Sequence, residues 1–304
     1  MNKIFIDGSA GTTGLKIYER LISRKDIQLI TLTDENRKDI NARRDALNSA
    51  DIAFLCLPDD AARESVSLVS SKTTAIIDTS TAHRVNPQWV YGLPELSGQR
   101  EKISASKRIA NPGCHATGFI ALIAPLVQAG IVGKNEALSC FSLTGYSGGG
   151  KKMITQYEDE NRDSLLDAPR QYGLTQTHKH LPEMTQVSGL EVPPVFCPVV
   201  APYYAGMEVT VSLHSKSIQA VKECYADYYH DGVIRFAENP DEGGFLSAGK
   251  FAGRDDLEIS VYGNDERILL VSRFDNLGKG ASGAAIQNMN ILLGIDETTG
   301  LEVR

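Results

Sequence analysis

The chain opens on a short apolar run, followed at once by three evenly spaced glycines and a helical pattern. Residues 3–7 are predicted to form a strand, Gly8, Gly11 and Gly14 follow with the spacing G-x-x-G-x-x-G, and apolar residues from Leu15 onward recur at helical spacing. Glycines in such a turn let the backbone approach a pyrophosphate, and the helix N-terminus favours its negative charge. A glycine triplet alone is a weak signal, but this position between a first strand and a helix predicts a nucleotide site. The candidate cofactor contacts are Gly8, Ser9, Gly11, Thr12, Thr13 and Gly14.

Strands and helices alternate after this turn. Strands are predicted at 27–33, 52–57 and 74–79, with helices near 36–49 and 60–71 between them. Continuous apolar strands that alternate with helices are typical of a parallel sheet covered on both faces. The sequence therefore predicts an α/β fold that begins with a Rossmann doubly wound parallel sheet.

The pattern changes after about residue 112. An apolar helix is predicted at 116–128, strand-like runs at 138–144, 195–201, 207–213, 257–262 and 268–274, and a final helix at 281–294. Several of these strand-like runs alternate apolar and polar residues, which is typical of an antiparallel sheet with one covered face. We therefore predict a second α+β domain with a mixed or antiparallel sheet.

Composition narrows the class of protein. The 304 residues carry a formal net charge of -7, which argues against a nucleic-acid partner. No apolar run approaches the roughly 18 residues that cross a bilayer, and the N-terminus lacks the apolar stretch of a signal peptide. The five cysteines include no CxxC pair, so neither a disulfide framework nor a zinc ribbon is expected. We expect a cytoplasmic protein with reduced thiols and no membrane partner.

The charges after the second strand give conflicting signals about the nucleotide. Asp34 lies 20 residues after Gly14, where an acid would bind the ribose 2′-hydroxyl of NAD. Arg37 and Lys38 follow directly, where the 2′-phosphate of NADP would find partners. Charge tips the prediction slightly toward NADP, with solvated loop charges as the alternative.

Cys114 follows Asn111, Pro112 and Gly113 immediately before the predicted apolar helix. Pro and Gly force a sharp entry, so Cys114 is expected in the first helical turn, where N–H groups and the helix dipole favour a thiolate. A thiolate is a nucleophile, and free N–H groups or the Asn111 amide would stabilise an oxyanion. The cysteines at 56, 140, 197 and 224 lie in apolar runs or on a helix face and are expected to be structural.

The second unusual cluster is the run His-Lys-His-Leu-Pro-Glu at 178–183. Two histidines separated by one residue could bind a metal, but no third ligand of convincing spacing stands nearby, so no metal is predicted. A general acid or base at His178 or His180 is preferred, with the Glu183 carboxylate orienting an imidazole. Structural or surface roles are expected for the remaining histidines, His83, His115, His214 and His230.

Two further segments are rich in glycine. The run at 145–152 suits close passage of the backbone past a ligand, with Lys151 as a phosphate contact and a flexible hairpin as the alternative. The run at 276–283 lacks the ending of an ATP-binding P-loop and is predicted to line the cofactor through Asn276, Gly278 and Gly280.

Together these motifs resemble the N-acetyl-γ-glutamyl-phosphate reductases in their shorter bacterial form. The resemblance covers nearly the whole chain and rests on residues 8–14, 80–84, 91–95, 111–118, 178–183 and 276–290. It implies an NADP-binding Rossmann domain of residues 1–113 and 276–304, and a catalytic and oligomerisation domain of residues 114–275. It also implies NADPH as cofactor and assembly as a homodimer or homotetramer.

The resemblance implies a reaction through Cys114. Its thiolate would attack N-acetylglutamyl phosphate and expel phosphate, the thioester would be reduced by NADPH, and His180 or His178 would handle the proton. The candidate substrate contacts are Arg108, Ser147, Gly148, Lys151, Lys179 and Glu183, and the further cofactor candidates are Pro58 and Ser80. Surface charge is the alternative for the three basic residues.

Two other functions compete with this one. An aspartate-semialdehyde dehydrogenase-like enzyme would use the same thiol on another acyl phosphate. A non-catalytic NADP-binding regulator would keep the fold, but such a protein has no use for a thiol at a helix N-terminus.

Overall fold

A computed structural model describes residues 1–230 and 232–304. The chain forms two compact units, residues 1–112 with 281–301 and residues 113–280 with 302–304. Residues 276–280, which the family resemblance grouped with the first domain, therefore belong to the second unit.

The first unit is built on a parallel sheet. Its elements are β1 (Asn2–Asp7), α1 (Thr12–Leu21), β2 (Ile27–Ile30), α2 (Ile40–Ser49), β3 (Ile52–Leu55), α3 (Asp59–Leu68), β4 (Ala75–Asp78), β5 (Val90–Tyr91), α4 (Gln99–Ala105) and β6 (Arg108–Ala110). The strand order is β2-β1-β3-β4-β6-β5, and every neighbouring pair is parallel. The predicted Rossmann-like sheet is confirmed.

Both faces of this sheet are buried, which explains the continuous apolar strands. Side chains alternate between the faces, so Ile4 and Phe54 pack on one side, while Phe5 and Leu55 pack on the other. The first side is covered by apolar residues of α1 and α4 and of the helix near the chain's end. The second side is covered by α2 and α3.

The second unit is built on a mixed sheet. Its elements are α5 (Cys114–Gln128), β7 (Ser139–Gly145), α6 (Gly150–Glu158), β8 (Arg170–Gln171), α7 (Leu181–Ser188), β9 (Val195–Ala201), β10 (Met207–His214), α8 (Ile218–Tyr228), β11 (Ile234–Phe236), β12 (Leu257–Asn264) and β13 (Arg267–Phe274). The strand order is β11-β12-β13-β10-β7-β9-β8, with parallel β7–β9 and β11–β12 pairs in an otherwise antiparallel sheet. The last helix, α9 (Gly283–Leu292), belongs to the first unit.

One face of the mixed sheet is covered, and the other is open around Phe141 and Leu269 although Val271 and Arg273 on that face are buried. Met207, Val209 and Val211 of β10 alternate toward the covered face, where α5 packs on β10 and β13. On the open face, Phe141 and Leu269 are 46% and 47% exposed. The alternation that predicted a half-covered sheet therefore has its physical cause in this arrangement.

Several element boundaries differ from the sequence prediction; the strand predicted at 27–33, for example, ends at Ile30. The helix expected from residue 36 begins at Ile40, because the Asp39 side chain accepts a hydrogen bond from the Ala42 N–H and caps the helix there. The glycine-rich run at 145–152, for which a hairpin was the alternative, forms a 3-10 turn (Tyr146–Gly149) that leads into α6.

Candidate active site

The β1–α1 turn accepts only glycine at two positions. Gly8 has φ +87°, and a Cβ there would lie 2.4 Å from the carbonyl oxygen of Cys56. A Cβ on Gly14 would lie 2.5 Å from the carbonyl oxygen of Gly8. The Thr12 hydroxyl, in the first turn of α1, is buried and has no hydrogen-bond partner among the described residues. A tight turn, an open helix N-terminus and an unsatisfied hydroxyl fit the pyrophosphate of a dinucleotide.

The other cofactor candidates of the first unit lie at the carboxyl edge of its sheet. Pro58 follows β3 and precedes α3, and Ser80 follows β4. The Ser80 hydroxyl donates to Asp78 Oδ2 at 2.8 Å, and His83 Nδ1 lies 2.6 Å from the same oxygen. Ligands of open parallel sheets bind at this edge, so both positions suit a cofactor contact.

Asp34 and Arg37, which gave conflicting signals about the nucleotide, form an ion pair. Arg37 Nη1 lies 3.2 Å from Asp34 Oδ1, with side chains 51% and 91% exposed, and Lys38 is also exposed. An exposed pair of this kind contributes about 0–1 kcal/mol, so Arg37 can leave Asp34 at little cost. Arg37 thus remains able to meet a 2′-phosphate.

Asn111 is held inside the first unit. Its Nδ2 donates to the carbonyl oxygen of Ala281 at 3.0 Å, and its Oδ1 accepts from Asn288 Nδ2 at 3.2 Å. Its carbonyl oxygen accepts from Arg84 Nε at 3.0 Å. The proposed oxyanion role of this amide stays a prediction.

Cys114 is the first residue of α5, where the sequence placed it. Gly113 is the N-cap in an extended conformation, and its N–H donates to Glu183 Oε2 at 3.2 Å. A Cβ on Gly280 would lie 2.8 Å from the Cys114 Cβ, so only a glycine lets that segment pass the cysteine. Cys114 as a residue is half-buried, whereas Cys140 is buried.

The histidine cluster lies in the same unit as Cys114. The Glu183 carboxylate, which is 1% exposed, has its Oε1 4.0 Å from His180 Nε2. One carboxylate therefore fixes the N-cap before Cys114 and faces the imidazole of His180. His178 Nδ1 accepts the backbone N–H of His180 at 3.2 Å, and the two rings lie 4.7 Å apart, edge to face.

The structure adds two side chains that sequence reasoning missed at this site. His115, expected to be structural, lies with its ring 5.5 Å from that of His180, and its Nε2 lies 2.7 Å from the Tyr172 hydroxyl. Burial, and then the charge of His178, lowers the pKa of His115 to about 3. Burial, and then the charge of Cys114, raises the pKa of Tyr172. No local sequence signal marks Tyr172, because its partners are distant in sequence.

The remaining candidates of the second unit divide into buried and exposed residues. Asn276 and Ser147 are each 1% exposed and joined by a 2.9 Å hydrogen bond from Nδ2 to Oγ, with Gly148 packed next to Asn276. A Cβ on Gly278 would lie 2.0 Å from a carbonyl oxygen of Arg254, so this glycine serves chain packing. Lys151 and Lys179 are exposed.

Arg108 is the one substrate candidate that belongs to the first unit. It begins β6, opposite Ile76 of β4, so it lies at the amino edge of the parallel sheet, whereas Asn111 follows the carboxyl end of β6. Its guanidinium donates to the carbonyl oxygens of Thr74 and Lys107. These contacts hold the start of β6 against the start of β4, and the assignment of Arg108 to the substrate stays a prediction.

Within residues 1–230 and 232–304, no group of three or more His, Cys, Asp or Glu side chains is arranged to hold a metal ion. No helix in the described part of the chain combines the length and apolar character needed to cross a bilayer.

The first unit has a dinucleotide-binding turn, and the second has a cysteine at a helix N-terminus together with a histidine–glutamate pair. These features define a two-domain dehydrogenase of the semialdehyde dehydrogenase class. Residues 3–106 match the family described as semialdehyde dehydrogenase, NAD binding domain, and residues 114–276 match semialdehyde dehydrogenase, dimerisation domain. Within this class, the chain belongs to the family of N-acetyl-gamma-glutamyl-phosphate reductases, as the motifs predicted.

Curated relatives with high sequence identity support the assignment to the reductase family. The N-acetyl-gamma-glutamyl-phosphate reductase 2 of Nostoc sp. is 46% identical over 98% of this chain and 99% of its own length. The N-acetyl-gamma-glutamyl-phosphate reductase of Sinorhizobium medicae is 45% identical over 96% of this chain and 98% of its own length.

Solved structures share the fold at low identity. Aspartate semialdehyde dehydrogenase II of Vibrio cholerae, complexed with ASA, matches with a TM-score of 0.73 at 16% identity, over 97% of this chain and 98% of that one. Aspartate semialdehyde dehydrogenase of Candida albicans with NADP matches with a TM-score of 0.67 at 16% identity, over 96% and 98%. At this identity the match shows the fold alone.

Proposed function

We propose that this chain reduces N-acetyl-L-glutamyl 5-phosphate to N-acetyl-L-glutamate 5-semialdehyde, a step of arginine biosynthesis, through a thioester on Cys114. The observation that carries the proposal is the carboxylate of Glu183, which binds the N-cap N–H before Cys114 and faces His180. This arrangement provides a nucleophile and a proton carrier in one rigid group. The names of the relatives supply the substrate.

The chain's own residues account for the first step. The Cys114 sulfur attacks the acyl carbon, a C–S bond forms, and the C–O bond to phosphate breaks, so that inorganic phosphate leaves. We expect backbone N–H groups of the first turn of α5 to stabilise the negative charge that develops on the acyl oxygen.

When bound, NADPH supplies the hydride that reduces the thioester. His180 donates a proton to the former acyl oxygen as the thioester is reduced, and takes the same proton back while the C–S bond breaks, so that the aldehyde leaves and Cys114 regains its thiolate. Of the two histidines we favour His180 as this carrier. The Nδ1 atom of His178 already accepts the backbone N–H of His180, so this nitrogen is engaged.

The cofactor preference rests on Arg37. Its exposed pair with Asp34 is weak enough to be replaced by a charge-assisted contact with a 2′-phosphate. We therefore propose NADPH over NADH.

The assembly and location are part of the same proposal. The open face of the mixed sheet, with Phe141 and Leu269 exposed, supports a homodimer or homotetramer through the second unit. All five cysteines are free thiols, which supports a reducing, cytoplasmic setting.

The test is phosphate-dependent reduction of NADP by the purified protein with N-acetylglutamate semialdehyde, run beside aspartate semialdehyde and beside NAD. We expect a signal that needs phosphate, prefers NADP, and falls at least about 1,000-fold in the Cys114→Ser variant. Cys224→Ser, at another half-buried cysteine, is the matched control and keeps its activity. Turnover only with aspartate semialdehyde would replace the substrate, and silence with both would favour a non-catalytic NADP-binding regulator.

A further inference from the structure

A buried ion pair lies at the end of β1, one residue before the dinucleotide-binding turn (residues 8–14). Asp7 is the last residue of β1. Arg43 Nη2 lies 3.1 Å from Asp7 Oδ2, and Arg43 Nε lies 3.3 Å from both carboxylate oxygens. The side chains of Asp7 and Arg43 are 4% and 10% exposed. A buried ion pair adds little net stability over well-packed apolar residues, so stability alone does not account for it.

The same guanidinium also holds α3. Arg43 Nη1 donates to Glu64 Oε2 at 2.9 Å, and Nη2 donates to Ser65 Oγ at 2.6 Å. The Ser65 hydroxyl in turn donates to Asp7 Oδ2 at 2.8 Å, which closes a ring of hydrogen bonds. Arg43 therefore fixes the first turn of α2 against both the end of β1 and α3.

Backbone hydrogen bonds connect Arg43 to the turn that carries Arg37, which we call the Arg37 turn (residues 33–39). The Arg37 N–H donates to the carbonyl oxygen of Thr33 at 2.9 Å, and the Asp39 N–H donates to that of Asn36 at 3.0 Å. Asp39 then caps α2, and its carbonyl oxygen accepts the Arg43 N–H at 3.0 Å. The Arg37 turn and the first turn of α2 are thus one continuous hydrogen-bonded segment.

Arg43 is the first buried residue after the Arg37 turn. Residues 33–41 are exposed, and Ala42 is only partly buried. Before the turn, Leu32 is partly buried and packs against the apolar core on the α2–α3 side of the sheet. Exposed segments with few packing contacts move easily unless a neighbouring residue is fixed. The position of the Arg37 turn relative to the dinucleotide-binding turn therefore depends mainly on Arg43.

We propose that the Asp7–Arg43 pair determines cofactor selectivity, because it fixes the Arg37 turn at the distance from the dinucleotide-binding turn that NADP requires. NADP and NAD share the pyrophosphate and differ in the 2′-phosphate, for which Arg37 is the proposed partner. Arg43 is a positioning residue, since its guanidinium is bonded to Asp7 and α3 and acts on the cofactor through Arg37. This role rests on the proposed function, which supplies the preference for NADPH.

The test is the dissociation constants of NADP and NAD, measured by calorimetric titration of the purified protein without substrate. Arg43→Lys keeps a positive charge for Asp7 but loses the planar fork that also holds α3. We expect the ratio of the NAD to the NADP dissociation constant to fall about 10-fold, because one hydrogen bond between charged groups is misplaced. Arg44→Lys is the matched control and keeps the native ratio, since the exposed Arg44 donates only to Asn41 in the same helix.

The ratio separates positioning from a general loss of stability. A first unit that is merely loosened binds both nucleotides more weakly by the same factor, because both carry the pyrophosphate. Weaker binding of both nucleotides with an unchanged ratio in Arg43→Lys would therefore overturn the proposal.

A second pair of variants cuts the same connection at its exposed end, where the buried ion pair stays intact. Asp39→Ala removes the oxygen that accepts the Ala42 N–H at 2.7 Å, whereas Asp39→Asn keeps an oxygen there. Both replacements remove the same negative charge, so a lower ratio in Asp39→Ala than in Asp39→Asn supports the positioning role, and equal ratios would refute it.

The native protein distinguishes the two proposals. A native ratio well above one that survives in both Arg43→Lys and Asp39→Ala defeats the positioning role alone and leaves the NADPH preference standing. A native ratio near one defeats the NADPH preference of the proposed function and, with it, the role of Arg43. The thioester chemistry of Cys114 is tested separately, by the phosphate-dependent assay.

Discussion

At the scale of single residues, His115 makes the stability of the second unit depend on pH. Its pKa is about 3 in the folded chain, against 6.5 for the unperturbed group. Below about pH 6.5 the unfolded chain binds a proton that the folded chain excludes, so stability is full above that pH and falls as pH decreases toward 3. Each pH unit in this window costs about 1.4 kcal/mol.

Replacing His115 by Asn should remove this pH dependence of the unfolding free energy. Between pH 7 and pH 4.5 the native protein should lose about 2.5 kcal/mol more unfolding free energy than His115→Asn, as measured by urea denaturation at both values. His214→Asn, at an exposed histidine, should follow the native protein. If His115→Asn also follows it, His115 does not carry this pH dependence.

Glu183 acts through its charge as well as its hydrogen bond. Glu183→Gln keeps an oxygen for the Gly113 N–H but removes the negative charge 4.0 Å from His180 Nε2. We expect kcat to fall about 10- to 100-fold with little change in KM, because the charge supports a protonated imidazole during turnover. Steady-state kinetics beside the exposed-site control Glu191→Gln measures this. A rise in KM alone would instead assign Glu183 to substrate binding.

At the scale of elements, α5 places Cys114 by packing closely on the mixed sheet. A Cβ on Gly118 would lie 2.6 Å from Val209 Cγ2 and 2.8 Å from Phe274 Cε1. Gly118→Ala should therefore destabilise the unit by about 1–3 kcal/mol net, because overpacking exceeds the gain of about 1 kcal/mol in helix propensity. Thermal unfolding tests this against Gly133→Ala, where the nearest atom is a flexible Glu136 oxygen at 3.8 Å. Equal midpoints would mean that α5 can shift without cost.

Elements with strong local signals were predictable from the sequence. The first strand, its glycine turn and α5 each carry a continuous apolar pattern with punctuation at the ends, and the structure places them within about two residues. By contrast, β5 and β6 have two and three residues, too few for any periodicity to show. They are strands because neighbouring strands pair with them.

The site was predictable where its residues are close in sequence. Cys114, His180 and Glu183 belong to short motifs with a chemical meaning, whereas Tyr172 meets His115 across 57 positions. Arg108 was assigned to the substrate from charge alone, and the direction of its strand places it at the opposite sheet edge. Which end of a strand a residue occupies depends on topology, which charge does not reveal.

At the scale of the whole molecule, the open face of the mixed sheet predicts self-association. Register places Val195, Phe141 and Leu269 on this face, with exposed fractions of 55%, 46% and 47%. A groove of about 650 Å³ on the same face is lined by Phe245 and Leu269. Exposed apolar area of this kind on a folded chain is typical of a protein interface.

A single charge on that face should separate the subunits. We expect sedimentation of the native protein at two or four times the chain mass of 33.0 kDa, and of Phe141→Glu at or near one chain mass, because an unpaired carboxylate in an apolar interface is strongly unfavourable. Leu165→Glu, at a residue 70% exposed on a 3-10 turn outside the sheet, introduces the same charge and should leave the mass unchanged. If Phe141→Glu keeps the native mass, the subunits associate through another surface. If the native protein is already one chain mass, the open face serves a different partner, and all groups needed for thioester chemistry must then come from a single chain.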